Sequence, residues 1–252
     1  MLTLFSLSPT LALPKSPDII LSSGFLCFSS HAGALQALEA AGLTDSQSAV
    51  VGVSSGALAA AMLASGRSAL DIGEQLSAQR PIKLVRPTIT PWRGLCSTRA
   101  LERRMRELLP ATFEELERPL ALGVFEAGTT KAELITSGDL PRAVAASCAV
   151  PFIFAPVKSG GRRLADGGAV DRTMTAAWRN WRPGRQAVVH LICREEYIDA
   201  DTFSPRDGID STDGLTLVRT ARAKASFLSL GDFEGEVEAA RATAAAQLAA
   251  IS

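Results

Sequence analysis

Between Ala49 and Ala64 the chain reads AVVGVSSGALAAAMLA. An apolar, β-branched run passes straight into small helix-forming residues, with Gly-Val-Ser-Ser-Gly at the junction. A strand that hands over to a helix without a loop must turn within one or two residues. That limits the architectures open to the chain. The stretch just upstream repeats the order. Asp18 to Ser23 (DIILSS) reads as a buried strand, and after a loop HAGALQALEAAGL at 31–43 places Leu35, Leu38 and Leu43 at helical spacing, with Gly42 as a stop. Strand, helix, strand, helix with apolar strands predicts a mainly parallel sheet covered on both faces.

Further helices are expected over Ser68–Gln79, Thr98–Leu109 and Asp139–Ala149, the last capped by Asp139 and ended before Pro151. Thr112 with Glu115 suggests a capping box on a short helix. Pro119–Phe125 and Lys131–Thr136 read as strands, paired as a hairpin around Gly128. Gln186–Cys193 reads as another buried strand, Glu195–Asp213 as an acidic solvated loop, and Phe233–Ser252 as an Ala-rich helix with acids at its start. That helix could pack on the domain or meet another chain.

At 252 residues, with 47% hydrophobic and 21% charged side chains, the chain can bury a large core. No linker or repeat divides it, so 18–252 is read as one domain, with a motif region over 18–172 and a C-terminal strand and helices over 173–252. The first 17 residues are apolar but broken by Pro9 and Pro14 and lack a basic start. They read as a flexible leader, with a cleaved targeting segment as the other reading. The expected location is cytoplasmic or peripheral at a membrane.

Twenty-six basic residues balance twenty-six acidic ones, which gives nucleic acid no overall electrostatic attraction. Cys27, Cys96, Cys148 and Cys193 stand far apart, with no pairing that suggests zinc or a disulfide framework. Neither a Walker lysine nor GxGxxG is present, so nucleotide binding is disfavoured.

Ser54 lies midway between Gly52 and Gly56 in the strand-to-helix turn. Glycine at both positions relieves backbone crowding, and the turn would lift the hydroxyl clear of the sheet, as a nucleophile elbow does. A chance Gly/Ser-rich turn is the plainer reading, and Ser55 sits off the centre of the pattern. A nucleophilic serine needs a base. Only His31 and His190 could supply an imidazole, and His190 sits in an apolar strand where a core role is expected. A carboxylate is the next option. Asp166, in RRLADGGAVDR before Gly167 and Gly168, stands at a strand end, although Asp-Gly-Gly is often no more than a turn. The loop SSGFLCFSS at 22–30 is placed to offer backbone amides to an oxyanion.

Taken together, these segments resemble the patatin-like phospholipases. The resemblance runs from about Asp18 to Arg172 and includes HAGALQALEAAGL, GVSSG, SGDLPRAVAASCAVPFIFAPV and RRLADGG in order. It implies a three-layer α/β/α fold with a mainly parallel central sheet, and a Ser-Asp dyad that cleaves acyl esters of lipids. By motif, Ser54 is the nucleophile and Asp166 the general base; Ser23, Gly24 and Phe25 would form the oxyanion hole. No metal or organic cofactor is implied. The loop keeps only Gly24 of the family's several glycines and lacks its basic residue, and Asp171-Arg172-Thr173 replaces the usual residues after Asp-Gly-Gly. A lipid-binding or scaffold protein that retains the fold without catalysis is therefore the alternative.

From Arg80 to Arg106 there are eight basic residues and one acid, Glu102, with Pro91-Trp92-Arg93 among them. Trp178-Arg179-Asn180-Trp181-Arg182 is a second mixture of indoles and cations. Solvated helix surface and core tryptophans account for both groups in the ordinary reading; contact with an anionic bilayer is the other.

Overall fold

The computed structural model describes residues 15–88, 94–200 and 202–251. Most of the leader and the tripeptide Pro91-Trp92-Arg93 lie outside the described residues. In chain order the elements are β1 (Asp18–Leu21), α1 (Phe28–Ala40), β2 (Val50–Val53), α2 (Ser55–Ala64), α3 (Ala69–Ser77), β3 (Arg86–Pro87), β4 (Cys96–Ser97) and α4 (Arg99–Leu108). There follow β5 (Leu120–Glu126), β6 (Ala132–Ile135), α5 (Leu140–Ser147), β7 (Val157–Ser159), β8 (Arg162–Asp166), α6 (Thr175–Trp181), β9 (Ala187–Cys193), β10 (Leu215–Ala221) and α7 (Phe233–Ile251).

The main sheet runs β10-β9-β1-β2-β5-β8-β7, with β6 also on β5. Strands β10, β9, β1, β2 and β5 are parallel, while β8, β7 and β6 join antiparallel. Alternate residues of the central strands enter opposite cores. Ile19, Leu21 and Val50 face α1, α2, α3, α4, α5 and α7. Ile20, Val51 and Val53 face Met174 and Trp178 at α6. The result is the expected three-layer α/β/α fold.

Local chemistry explains several boundaries. Asp139 caps α5 by accepting from the Arg142 amide at 3.0 Å. The Thr112 hydroxyl donates instead to the Glu115 carboxylate at 3.0 Å, and only a 3₁₀ turn over Phe113–Glu115 follows. Trp178 is fully buried, with its indole N–H donating to Asp18 Oδ2 at 3.0 Å, and Arg182 pairs with the same carboxylate at 3.1 Å. The second indole and cation group thus belongs in part to the core.

The final helix α7 packs on the domain, against α1. The contact is close at Gly33, where an added Cβ would lie 2.2 Å from the Val237 carbonyl oxygen and 2.8 Å from the Ala240 Cβ. Gly33→Leu should therefore force the helices apart and destabilise the protein by about 1–3 kcal/mol or more. Urea unfolding measures this; an unchanged midpoint would show that α7 is not held there.

Candidate active site

Strand β2 ends at Val53 and α2 begins at Ser55, so Ser54 alone makes the turn. It does so at φ 56° and ψ −119°, a conformation that costs a non-glycine residue about 1–3 kcal/mol. The turn closes only because its flanks are bare. A Cβ at Gly52 would sit 2.5 Å from the Gly56 carbonyl oxygen, and one at Gly56 would sit 2.3 Å from the Leu21 carbonyl oxygen. Both positions therefore have room only for glycine.

The neighbouring segment holds the turn in place. The Ser147 hydroxyl accepts from the Ser54 amide at 3.0 Å and donates to the Gly123 carbonyl at 2.7 Å. The Cys148 thiol donates to the Ser54 carbonyl at 3.2 Å. Ser147 and Cys148 open the SCAVP stretch, and no local sequence pattern marks them as supports of the turn.

Asp166 ends β8 beside β5, with Val124 as its register partner. Its carboxylate accepts the Gly168 amide at 2.8 Å, and the Ser54 hydroxyl lies near enough to lower its pKa. Burial raises its pKa from 3.8 to about 6, against the lowering effect of the nearby Ser54 hydroxyl and the Gly168 amide. The Asp-Gly-Gly turn also lies against the loop after β1, since a Cβ on Gly168 would fall 2.4 Å from that of Ser23. Gly167 is equally enclosed, by Met174 and the Gly123 backbone. The elbow, the acid and the loop thus meet at the C-terminal edge of the parallel strands.

Within the loop, the Ser23 amide donates to the Arg172 carbonyl at 2.8 Å. The amides of Gly24 and Phe25 donate to no acceptor among the described residues. Ser55 contributes another unclaimed amide as the first residue of α2. Arg172 fastens the loop. Its guanidinium donates to the Ser23 carbonyl at 3.0 Å and to the Ile192 carbonyl, and pairs with buried Asp207 at 2.6 Å. A cation missing from the loop itself is thus supplied from beyond Asp-Gly-Gly. The sequence signal was the unusual Asp171-Arg172-Thr173.

His31 and His190 are brought together, and no hydrogen bond joins either of them to Asp166. Their Nδ1 atoms are 3.0 Å apart, His31 Nε2 is 3.2 Å from the Ser55 hydroxyl, and His190 Nε2 is 2.7 Å from Thr220 Oγ1. Both rings are fully buried, and desolvation lowers the His31 pKa to about 3 and that of His190 well below its usual value. His190 has the core role expected of it.

Ser54 and Ser55 open on a cleft of about 70 Å³ lined mainly by apolar side chains, among them Phe25, Leu58, Leu84, Leu101, Phe154 and Phe227. The described non-glycine residues with left-handed φ are Leu26, Ser54, Phe152 and Met174. Leu26 also lines this cleft, Phe152 precedes its Phe154 wall by two residues, and Met174 packs behind the Asp166 turn. Among the described residues, no cluster of three His, Cys, Asp or Glu side chains could hold a metal ion. No described helix is long and apolar enough to cross a membrane.

The family model for the patatin-like phospholipases matches residues 19–177, well over half of the chain, and the chain belongs to that family. An uncharacterized protein of Bacillus subtilis (strain 168), YqhO, is 29% identical over 187 residues, covering 61% of this chain and 63% of that protein. The chain thus matches under two thirds of the length of this relative. Among solved structures, VipD from Legionella pneumophila superposes with a TM-score of 0.59 at 15% identity, covering 95% of this chain and 68% of VipD. ExoU in the ExoU-SpcU complex of Pseudomonas aeruginosa gives a TM-score of 0.50 at 15% identity, covering 95% of this chain and 52% of that one. These two likenesses concern the fold.

Proposed function

We propose that the chain is a serine lipid acyl hydrolase of the phospholipase A or lysophospholipase type, working through Ser54 and Asp166. The observation that carries the reading is the placement of a strained turn serine, which opens on an apolar cleft, close to a buried carboxylate whose basicity is raised. Membership of the patatin-like phospholipases supports the reaction class.

In this mechanism the Ser54 oxygen attacks an ester carbonyl while Asp166 takes its proton. The carbonyl π pair moves onto oxygen, where the amides of Gly24 and Phe25, with that of Ser55, stabilise the charge. Collapse expels the alcohol, which regains the proton from Asp166 and leaves an acyl-serine. Water then attacks with Asp166 again as base, releasing the fatty acid and restoring Ser54. The apolar cleft takes the acyl chain.

The His31 contact makes Ser55 a rival nucleophile. Against it, an imidazole with a pKa of about 3 is a poor base near neutrality. A fluorophosphonate probe and a short acyl ester decide between the two. Ser54→Ala should abolish labelling and lower turnover by about a thousandfold or more, while Ser55→Ala stays labelled. Undiminished labelling of Ser54→Ala, with loss in Ser55→Ala, would transfer the role. A wild-type protein that binds lipid but neither labels nor hydrolyses would be the non-catalytic relative that the glycine-poor loop suggested.

A further inference from the structure

Seven large apolar side chains are exposed among the described residues, and five of them lie on segments that line or adjoin the Ser54 cleft: Phe25 lines it, Ile82 and Leu228 follow the lining residues Pro81 and Phe227, Phe152 stands between the lining residues Val150 and Phe154, and Leu95 is hydrogen-bonded to the Phe152 backbone. These segments are joined by direct contacts. The Phe25 ring packs edge-on against Phe227, which packs against Phe154. The Ile82 amide donates to the Phe227 carbonyl, and Leu228 is the next residue. The Leu95 amide donates to the Phe152 carbonyl. Phe152 is 91% exposed and held at φ 68°. A large apolar side chain kept in solvent on a strained backbone has no folding advantage.

Beside these segments lies a broad groove that shares Thr98 with the cleft. Its cations are Arg86, Arg99, Arg103, Arg142, Lys158 and Arg163, and its one lining acid, Glu102, is engaged with Arg106 and Arg142. The other five cations form no ion pair with any described carboxylate. Their placement opposes folding. Arg99 and Arg103 are one turn apart on α4, and Lys158 faces Arg163 directly across β7 and β8. Like charges at either spacing repel. In a chain of zero net charge, this concentration of unanswered cations calls for an external anion.

We infer that this face docks on an anionic phospholipid bilayer, with the exposed apolar side chains entering the interface and the five cations meeting head-group phosphates. The inference rests on the proposed function for its direction, since the cleft then opens where acyl chains are delivered. Alternating apolar loops and phosphate-seeking cations suit a bilayer surface.

Vesicle co-sedimentation of the full chain carrying Ser54→Ala tests this without any hydrolysis. The protein should bind phosphatidylcholine vesicles containing phosphatidylglycerol, bind pure phosphatidylcholine much less, and release as salt rises. Arg99→Glu with Arg103→Glu should weaken binding about tenfold or more. Phe152→Asn, which tolerates the left-handed backbone, should weaken it about tenfold while the protein stays folded. Equal binding to both vesicle types, or unchanged binding by these variants, would overturn the inference. So would a dimer in solution that Phe152→Asn dissociates while vesicles stay unbound, which would give the face to a second copy. An active esterase that ignores vesicles would overturn docking and leave the hydrolase reading standing; a vesicle binder without esterase activity would do the reverse.

Discussion

Asp166→Asn is expected to lose about a thousandfold in ester turnover and yet to be more stable than the parent at pH 7. The activity loss is what removing a general base costs. The gain in stability follows from the burial that makes the base useful. The folded carboxyl titrates at about 6 and an unperturbed one at 3.8, so folded protein holds this proton more tightly than unfolded protein does. Its contribution to stability is full below about pH 4 and is lost as the pH rises through 6. The amide stays neutral throughout and can still accept the Gly168 N–H. Urea unfolding should find the two proteins closely matched at pH 4, with the variant about 1–3 kcal/mol ahead at pH 7. Wild-type kcat/KM should rise with pH through a midpoint near 6, where the carboxylate forms. A stability difference that does not change between the two pH values would mean that Asp166 is not a desolvated base.

Arg172→Lys should lower kcat about ten- to a hundredfold with KM nearly unchanged. A lysine retains the charge opposite Asp207, so the buried partner is not left alone, a loss that would cost about 3–5 kcal/mol. A single ammonium cannot reproduce the planar fork that reaches Asp207 and the carbonyls of Ser23 and Ile192 together. The loop would loosen, and amides that drift from the oxyanion cost about 10²–10³ each when lost outright. Kinetics normalised to fluorophosphonate-titrated sites, read beside the unfolding midpoint, separate the cases. A lower midpoint with unchanged kcat per titrated site would reduce Arg172 to scaffolding.

What could be read from the sequence was local. The elbow was legible because its chemistry lies within five residues, from Gly52 to Gly56. Asp166 was legible through the order of motifs. The start of α1 was not. It begins at Phe28, because Ser29 and Ser30, which look like loop residues, are tied to Glu236 at 2.8 Å and the Ala221 carbonyl at 2.9 Å. Their partners lie about two hundred positions away in the chain. Strand β10 was missed because Leu215–Ala221 is buried on both faces and follows a long acidic stretch. The pairing of His31 with His190, the grip of Arg172 on the loop and the gathering of exposed apolar residues around the cleft are likewise products of topology. No spacing within one segment encodes them.

The left-handed backbones at Leu26, Ser54, Phe152 and Met174 have a consequence for protein engineering. Each departs from the conformation its residue type prefers, and all four lie at the Ser54 cleft, beside its walls or behind the Asp166 turn. A laboratory search for heat-tolerant versions would be drawn to these places first, because glycine would relax the main chain there. The sturdier molecules so obtained would be the sluggish ones, and mutations in the periphery would be the safer route to durability.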